Sequence, residues 1–496
     1  MWIVILACIA ILSLAAIWSI VKKNSYPQTI GIVEPWYPLI GNGLLFLGQT
    51  DVKKFQNLEK VCSAGKEDLF RLYLGEKIIF YTNDVNMAQK IMTNPNCMNR
   101  PYMYDFFNLN KGLFAAKTHL WKGQRKALNP AFNMKILESF VPIFCDATKN
   151  MVQRLDAIPA GETINIMEHL LRCTLEMLCA TTFEFDVNDF AKIDEMLHGM
   201  ESFFYYAAKR MLKFQYHLDF IYRWTKDYRE QTSVHKFMHT YGMQIYNNAN
   251  EKYTKGLLTN DQTEDGNNEG FRKPQLFVNQ IFSNTSRKFT REEIIENILT
   301  ILGAGTDTSA TEVAYVLLQL AMYPSYQQKV YEEIMKVFPE AEPHITTESL
   351  KRLQYTEMVM NECFRIYPVA PNLLRENTED VTLCGARIPK GSIFGISIYT
   401  IHRRKDIWGP DADRFNPERF SPERSAGRHP FAFLAFSGGS RNCLGARYAM
   451  ISMKIMLVYL MKKYHFKTKI REEDLRYRFE IILRLDGEHL VQIEKR

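Results

Sequence analysis

The residues best suited to chemistry lie near the C-terminus, in the stretch FSGGSRNCLG at 436–445. Cys443 stands there among glycines 438, 439 and 445, two residues after Arg441. The sequence that follows, RYAMISMKIMLVYLMKKY (447–464), has apolar residues at helical spacing. Cys443 is therefore expected on a loop that enters a helix N-terminus, where the helix dipole and Arg441 both favour thiolate over thiol. The glycines let the backbone turn tightly and approach a flat ligand, and amides aimed at the sulfur tune its electron donation. The other eight cysteines (positions 8, 62, 97, 145, 173, 179, 363 and 384) are scattered and form no CxxC pair. That pattern argues against a disulfide framework or a zinc ribbon and places the soluble part in a reducing compartment. Cys8, Cys173 and Cys179, embedded in apolar helical sequence, read as small hydrophobes.

Three further constellations have spacing that matters. In TREEIIENILTILGAGTDTSATEVAY, Thr290 and Glu293 form a capping box, and the helix they open stops before Pro324. At 1.5 Å per residue it is about 50 Å long, enough to cross a large domain. Gly303 and Gly305 beside hydroxyl residues weaken its ladder, and a threonine hydroxyl can bond the carbonyl one turn back and widen it. In YTEMVMNECFRIYP, Glu362 and Arg365 lie three apart on one helical face, with Pro368 beyond the end. In WKGQR, Trp121 and Arg125 lie four apart on one face. Taken singly, such pairs are usually surface features.

These residues need elements to hold them. Residues 2–21 are uncharged and long enough to span a bilayer, with Trp2 and Trp18 at interface positions and Lys22 and Lys23 following. They read as a retained anchor over 1–21 with the rest of the chain on the cytoplasmic side; a cleaved signal peptide would have a basic start and a shorter apolar run. The proline-rich stretch 22–43 reads as a stiff linker, since Pro35 and Pro38 stop a helix and Gly41 and Gly43 permit a turn. LFRLYLGEKIIFYTND (69–84) alternates around Gly75 as a hairpin, with Asp84 as N-cap of a short helix over 85–92. Most of the chain to residue 365 reads as helix, and strands return at 380–401 with Pro389–Gly391 as a turn. The acidic, Asn- and Gly-rich segment 256–270 reads as a surface loop. Sixty-two Lys and Arg against 55 Asp and Glu leave +7 over 496 residues. With no long basic run, that suits docking to an acidic partner or membrane and not nucleic-acid binding.

FSGGSRNCLG matches the FxxGxRxCxG signature of the cytochrome P450 superfamily at Phe436, Gly439, Arg441, Cys443 and Gly445. The resemblance extends in order through WKGQR, AGTDTS (Ala304, Gly305, Asp307, Thr308 and Ser309), the ExxR of Glu362 and Arg365, and NPERF (416–420). It implies a mainly α fold with a small β-sheet region, in which 44–496 form a haem-thiolate catalytic domain behind an N-terminal transmembrane helix. Cys443 would be the axial ligand of a haem b iron and the one metal ligand. Phe436 would pack near the sulfur, while Trp121, Arg125, Arg375 and Arg441 would meet the haem propionates. Thr308 would hydrogen-bond dioxygen, and Asp307 would relay protons from solvent. Glu362, Arg365 and Arg419 would form a structural network. The closing motif and acidic loop resemble the microsomal fatty-acid ω-hydroxylase group, especially its insect members. Many of that group carry a glutamate that esterifies the haem where this chain has Ala304, so no such link can form there. Ser309 replaces the commoner second threonine, which the pattern accommodates.

The activity implied is monooxygenation of a small hydrophobic substrate. NADPH would supply electrons indirectly through NADPH-cytochrome P450 reductase, with cytochrome b5 as a further partner, at the endoplasmic reticulum membrane. Lys126 and Arg447 are candidate contacts for the acidic reductase. A haem-thiolate isomerase or dehydratase working without reductase would not need Asp307 and Thr308; a non-catalytic haem- or lipid-binding protein is the third reading. Substrate choice would rest on segments such as 103–114 and 201–222, whose aromatic residues suit either a hydrophobic pocket or core.

Overall fold

Thr290 and Glu293 do what their spacing promised. The Thr290 hydroxyl accepts the Glu293 N–H, and the Glu293 carboxylate accepts the Thr290 N–H at 2.9 Å. The helix they open, Arg291–Met322, is buried along most of its length, so its sequence is apolar on nearly every side. We call it the central helix. It is unbroken through Gly303 and Gly305. A Cβ at Gly305 would lie 2.9 Å from Leu178 of the neighbouring helix Ile166–Leu178, so glycine here permits a close helix crossing. This architecture is a computed structural model describing residues 2–256 and 277–496, apart from Gln28, Lys66, Ala160, Ala191, Thr285 and Ser286. All of the 256–270 loop except Gly256 falls outside the described residues.

Helices dominate, with one five-stranded sheet and three small ones. The larger sheet runs in the order Gly31–Ile32, Phe70–Leu74, Lys77–Thr82, Ile393–Ser397, Asn372–Glu376. Its hairpin turns at Gly75, which has φ of 60°. Asp84 then caps the helix Val85–Thr93 by accepting the Met87 N–H. One hydrophobic core surrounds the central helix, and a second lies under the sheet around Phe80, Phe394, Trp408 and Leu434.

The N-terminal helix Trp2–Asn24 runs three residues past the expected end and leaves Leu6, Leu14 and Trp18 exposed. It is long and apolar enough to cross a membrane. The expected linker 22–43 is instead built into the fold. Gly31–Ile32 adds a parallel strand beside Phe70–Leu74, and Arg71 donates to the carbonyls of Lys23 and Ile30. Buried Asn42 ties Val33 and Pro35 together. Prolines stop a helix, but they do not stop a segment from finding an edge strand to pair with.

The helix Gln354–Ile366 carries the pair that braces the site. Glu362 and Arg365 are both fully buried and joined by two 2.7 Å hydrogen bonds. Arg365 also donates to the carbonyls of His402 and Ala412, while Glu362 accepts from Arg419 and from the Asn416 N–H. His402 passes this order onward. Its Nδ1 donates to the Arg365 carbonyl, and its Nε2 accepts the Leu434 N–H at 2.8 Å, two residues before Phe436. Burial, reinforced by Arg365, pushes the His402 pKa down from 6.5 to about 3, which keeps Nε2 free to accept.

Arg365→Ala strands a buried carboxylate, and denaturant unfolding should show a loss of about 3–5 kcal/mol. The pH dependence follows from His402. Its pKa is depressed by folding, so its stabilisation is present above 6.5 and is lost as pH falls towards 3. Between pH 7 and pH 4 this single group should cost roughly 3 kcal/mol. Comparing wild-type and His402→Gln unfolding across that range should show a flatter pH slope in the variant.

Candidate active site

The cysteine loop is shaped by two close approaches. Gly439 has φ of 67°, and a Cβ there would stand 2.1 Å from the Met92 carbonyl oxygen, so no larger residue fits. The Cys443 N–H returns to the Phe436 carbonyl at 2.9 Å, closing the loop before the helix Ala446–Lys463. Phe436 packs edge-on against Phe364 of the bracing helix. The Gly445 amide lowers the Cys443 pKa, against the larger effect of burial.

The charge near that sulfur differs from the expectation. Arg125, not Arg441, is the cation that lowers the Cys443 pKa. Arg125 reaches the loop by donating to the Asn442 carbonyl and side chain at 2.8 and 2.9 Å. Arg441 turns away, donates to the Ala116 carbonyl and lies over the Trp121 ring at 4.4 Å. Cys443 has accessible surface, yet the density of protein around it pushes the thiol up overall. Metal coordination is what would deprotonate it outright.

Whether a haem fits can be tested on the arginines. Arg100, Arg375 and Arg441 are buried close to one another, and none of them pairs with a carboxylate among the described residues. Arg441 leaves Nε and Nη1 without a partner, and Arg375 donates only to its neighbour's carbonyl at Leu374. Burial first, and the Arg100 guanidinium second, bring Arg441 down to about 8 and Arg375 to about 9. Such a cluster asks for anions, and the two carboxylates of a haem supply them. Arg375 and Arg441, with Arg100 beside them, would suit propionates, whereas Arg125 is engaged by Asn442 and Trp121 lies under the Arg441 guanidinium. No motif marked Arg100.

The cluster also connects the cysteine loop to the oxygen side. Arg100 donates to the carbonyl of Phe114, which lines a cavity of about 120 Å³ against the central helix. Phe107, Phe203, Phe204, Val369 and Ile481 add apolar walls, while Ala304 and Thr308 face in from the helix. The Thr308 hydroxyl donates to the Ala304 carbonyl at 2.6 Å, the bond expected to loosen this turn. Some aromatic residues of 103–114 and 201–222 take the two roles left open, with Tyr104 and Phe106 in the core, and others take neither. Phe107, Phe114, Phe203 and Phe204 line the cavity, whereas Tyr205 and Tyr206 line a separate polar cleft of about 980 Å³.

Asp307, one residue from Thr308, points elsewhere. It is 1% exposed, and both its oxygens accept from the Nη2 of Arg484, at 2.6 and 2.7 Å. Arg484 belongs to the hairpin Tyr477–Glu480 and Ile482–Leu485 and lines the polar cleft, with Glu201 and Glu480 beside it. Sequence reasoning missed Arg484, because nothing in the hairpin's alternation says which distant helix its charge meets. It also missed Glu312, although Glu312 lies four residues after Thr308 and its shared helix face could have been read. Lys126 and Arg447 are exposed.

Comparisons with known proteins agree with this geometry. The family model "Cytochrome P450" matches residues 33–492. The chain is 30% identical over 494 residues to "Probable cytochrome P450 313a4" of Drosophila melanogaster, covering 97% of this chain and 96% of that protein. It is 27% identical to "Cytochrome P450 4c21" of Blattella germanica, over 90% of each chain, and 26% identical to "Cytochrome P450 4V2" of Rattus norvegicus, over 96% and 92%. With a glycine-shaped cysteine loop, unpaired buried arginines and a threonine-walled cavity on one scaffold, the chain belongs to the cytochrome P450 family and is a haem-thiolate monooxygenase.

Proposed function

We propose that this protein is a membrane-anchored monooxygenase that inserts one oxygen atom from dioxygen into a lipid-like apolar substrate, with NADPH-derived electrons delivered by a diflavin reductase. The observation that carries the reading is the cavity, whose walls are apolar except where Thr300 and Thr308 of the central helix enter. Such walls exclude water and hold a substrate by burial, leaving a hydroxyl as the polar group at hand.

Cys443 would hold the haem iron, with the Gly445 amide moderating the sulfur's electron donation. Arg100, Arg375 and Arg441 would bind the propionates, and Arg125 would keep the cysteine loop in place through Asn442. Haem, when bound, supplies the redox chemistry of oxygen activation. The Thr308 hydroxyl, which donates to the Ala304 carbonyl at rest, would turn its hydrogen to an oxygen substrate at the cavity wall. Asp307 would relay protons from the polar cleft, with Arg484 and Glu201 as its link to solvent. Lys22, Lys23 and the exposed apolar helix before them support an anchor with the catalytic domain on the cytoplasmic face of the endoplasmic reticulum. The exposed Lys126 and Arg447 supply basic charge for docking the reductase, and cytochrome b5 would use similar contacts.

The test is label transfer. Purified protein with reductase, NADPH and isotopically labelled dioxygen should mark a product from a pool of fatty acids, steroids and terpenoids. Absence of label in any product, from protein with intact haem ligation, would defeat the reading. Cys443→Ser should abolish the red-shifted Soret band of the ferrous carbon monoxide complex, and retention of that band would remove Cys443 as the ligand.

A further inference from the structure

Glu312 stands four residues beyond Thr308 on the central helix, so the two side chains leave the same face one turn apart. Their Cβ atoms are then about 5–6 Å apart, within reach of a direct hydrogen bond or one bridging water. The Glu312 carboxyl is only 8% exposed. Oε1 accepts the Val369 N–H at 3.3 Å, while Oε2 is buried without any partner. Val369 and Thr308 line the same apolar cavity, which puts the carboxyl behind the wall that bears the hydroxyl.

The surroundings offer this acid no counter-charge. No cation pairs with it among the described residues, and the titratable groups that feel its charge are the buried Cys363 thiol and the Tyr315 phenol. Burial drives the Glu312 pKa well above the usual carboxylate range, which favours the protonated carboxyl. Asp307 differs in each respect: it faces another side of the helix, and both its oxygens are engaged by Arg484.

We propose that Glu312 is a proton-holding residue that acts through Thr308. The threonine hydroxyl leaves the Ala304 carbonyl it donates to at rest and gives its hydrogen to the oxygen substrate in the cavity, while the Glu312 Oε2–H bond breaks and its proton moves to Thr308 Oγ1. The carboxylate left behind is reprotonated from solvent, one hydronium ion becoming water, when the cavity opens between turnovers, and no electrons move in this relay. Glu312 thus works on Thr308's own helix face, alongside the path through Asp307. This rests on the monooxygenase reading.

Glu312→Gln keeps the acceptor for the Val369 N–H and nearly the same volume but holds no acidic proton. In haem-loaded wild-type protein at neutral pH, infrared spectroscopy should show a carbonyl band of a buried protonated carboxylic acid, absent from the variant. Product formed per NADPH should fall by roughly ten-fold or more in the variant, with peroxide rising and a larger solvent isotope effect. In a Thr308→Ala background the same change should add nothing, because the two residues act in series. Should the glutamine variant fail to take up haem, Glu312→Asp carries the test: it keeps an acid, so a shifted band and substantial coupling are expected. Wild-type coupling in Glu312→Gln, a band that survives it, or additive losses with Thr308→Ala would overturn the donor role alone. A wild-type protein that binds haem through Cys443 yet oxygenates nothing would overturn the monooxygenase reading, and the donor role with it.

Discussion

A buried carboxylate is tolerable only when cations and donors surround it, and Glu362 is where this fold meets that constraint. Arg365 and Arg419 neutralise it, and their remaining donors go to the carbonyls of His402, Ala412, Trp408 and Asp411. The result is more than a satisfied pair. Through His402 the same network reaches the backbone at Leu434, so the position of the cysteine loop is set by hydrogen bonds that begin on a different helix. A change at Arg365 therefore acts on the loop that bears Cys443 without touching it.

The second group of buried arginines follows the opposite rule. Arg100, Arg375 and Arg441 crowd together with no carboxylate among the described residues to balance them, and the arrangement makes sense once the balancing anions belong to a ligand. Protein groups complete one charge network, and the propionates of a bound haem would complete the other. Cofactor binding would then stabilise the fold, because each propionate would relieve repulsion already built into the scaffold.

The central helix brings both regimes to one cavity. Its apolar surface packs on nearly every side, while three polar residues within two turns face different neighbours. Asp307 meets a hairpin arginine beside a wide polar cleft, Thr308 faces the apolar cavity, and Glu312 lies behind Val369. A helix rotates by about 100° per residue, so adjacent residues can serve solvent and substrate sides separately while residues four apart share a face. Ala304 keeps the cavity wall small on the same stretch, leaving room where a larger acid would intrude.

Local chemistry was legible in the sequence because it depends on neighbours a few residues apart. The capping box at Thr290, the hairpin around Gly75, the N-cap at Asp84 and the cysteine loop ahead of a helix all follow from short-range rules, and the family signature named the haem ligand. Long-range pairing was not legible. The segment 22–43 looked like a stiff linker because its prolines speak only of local conformation, and its strand partner lies nearly forty residues away. Arg441 looked like the cation nearest the sulfur because it is two residues from Cys443, yet its side chain turns to Ala116 and Trp121 and leaves that place to Arg125. The sequence by itself determined which side chains are available and which helix or loop each occupies. Only the tertiary structure decided which charges meet, since the partner of a buried charge is chosen by the packing of distant segments, as with Asp307 and Arg484, and by no spacing along the chain.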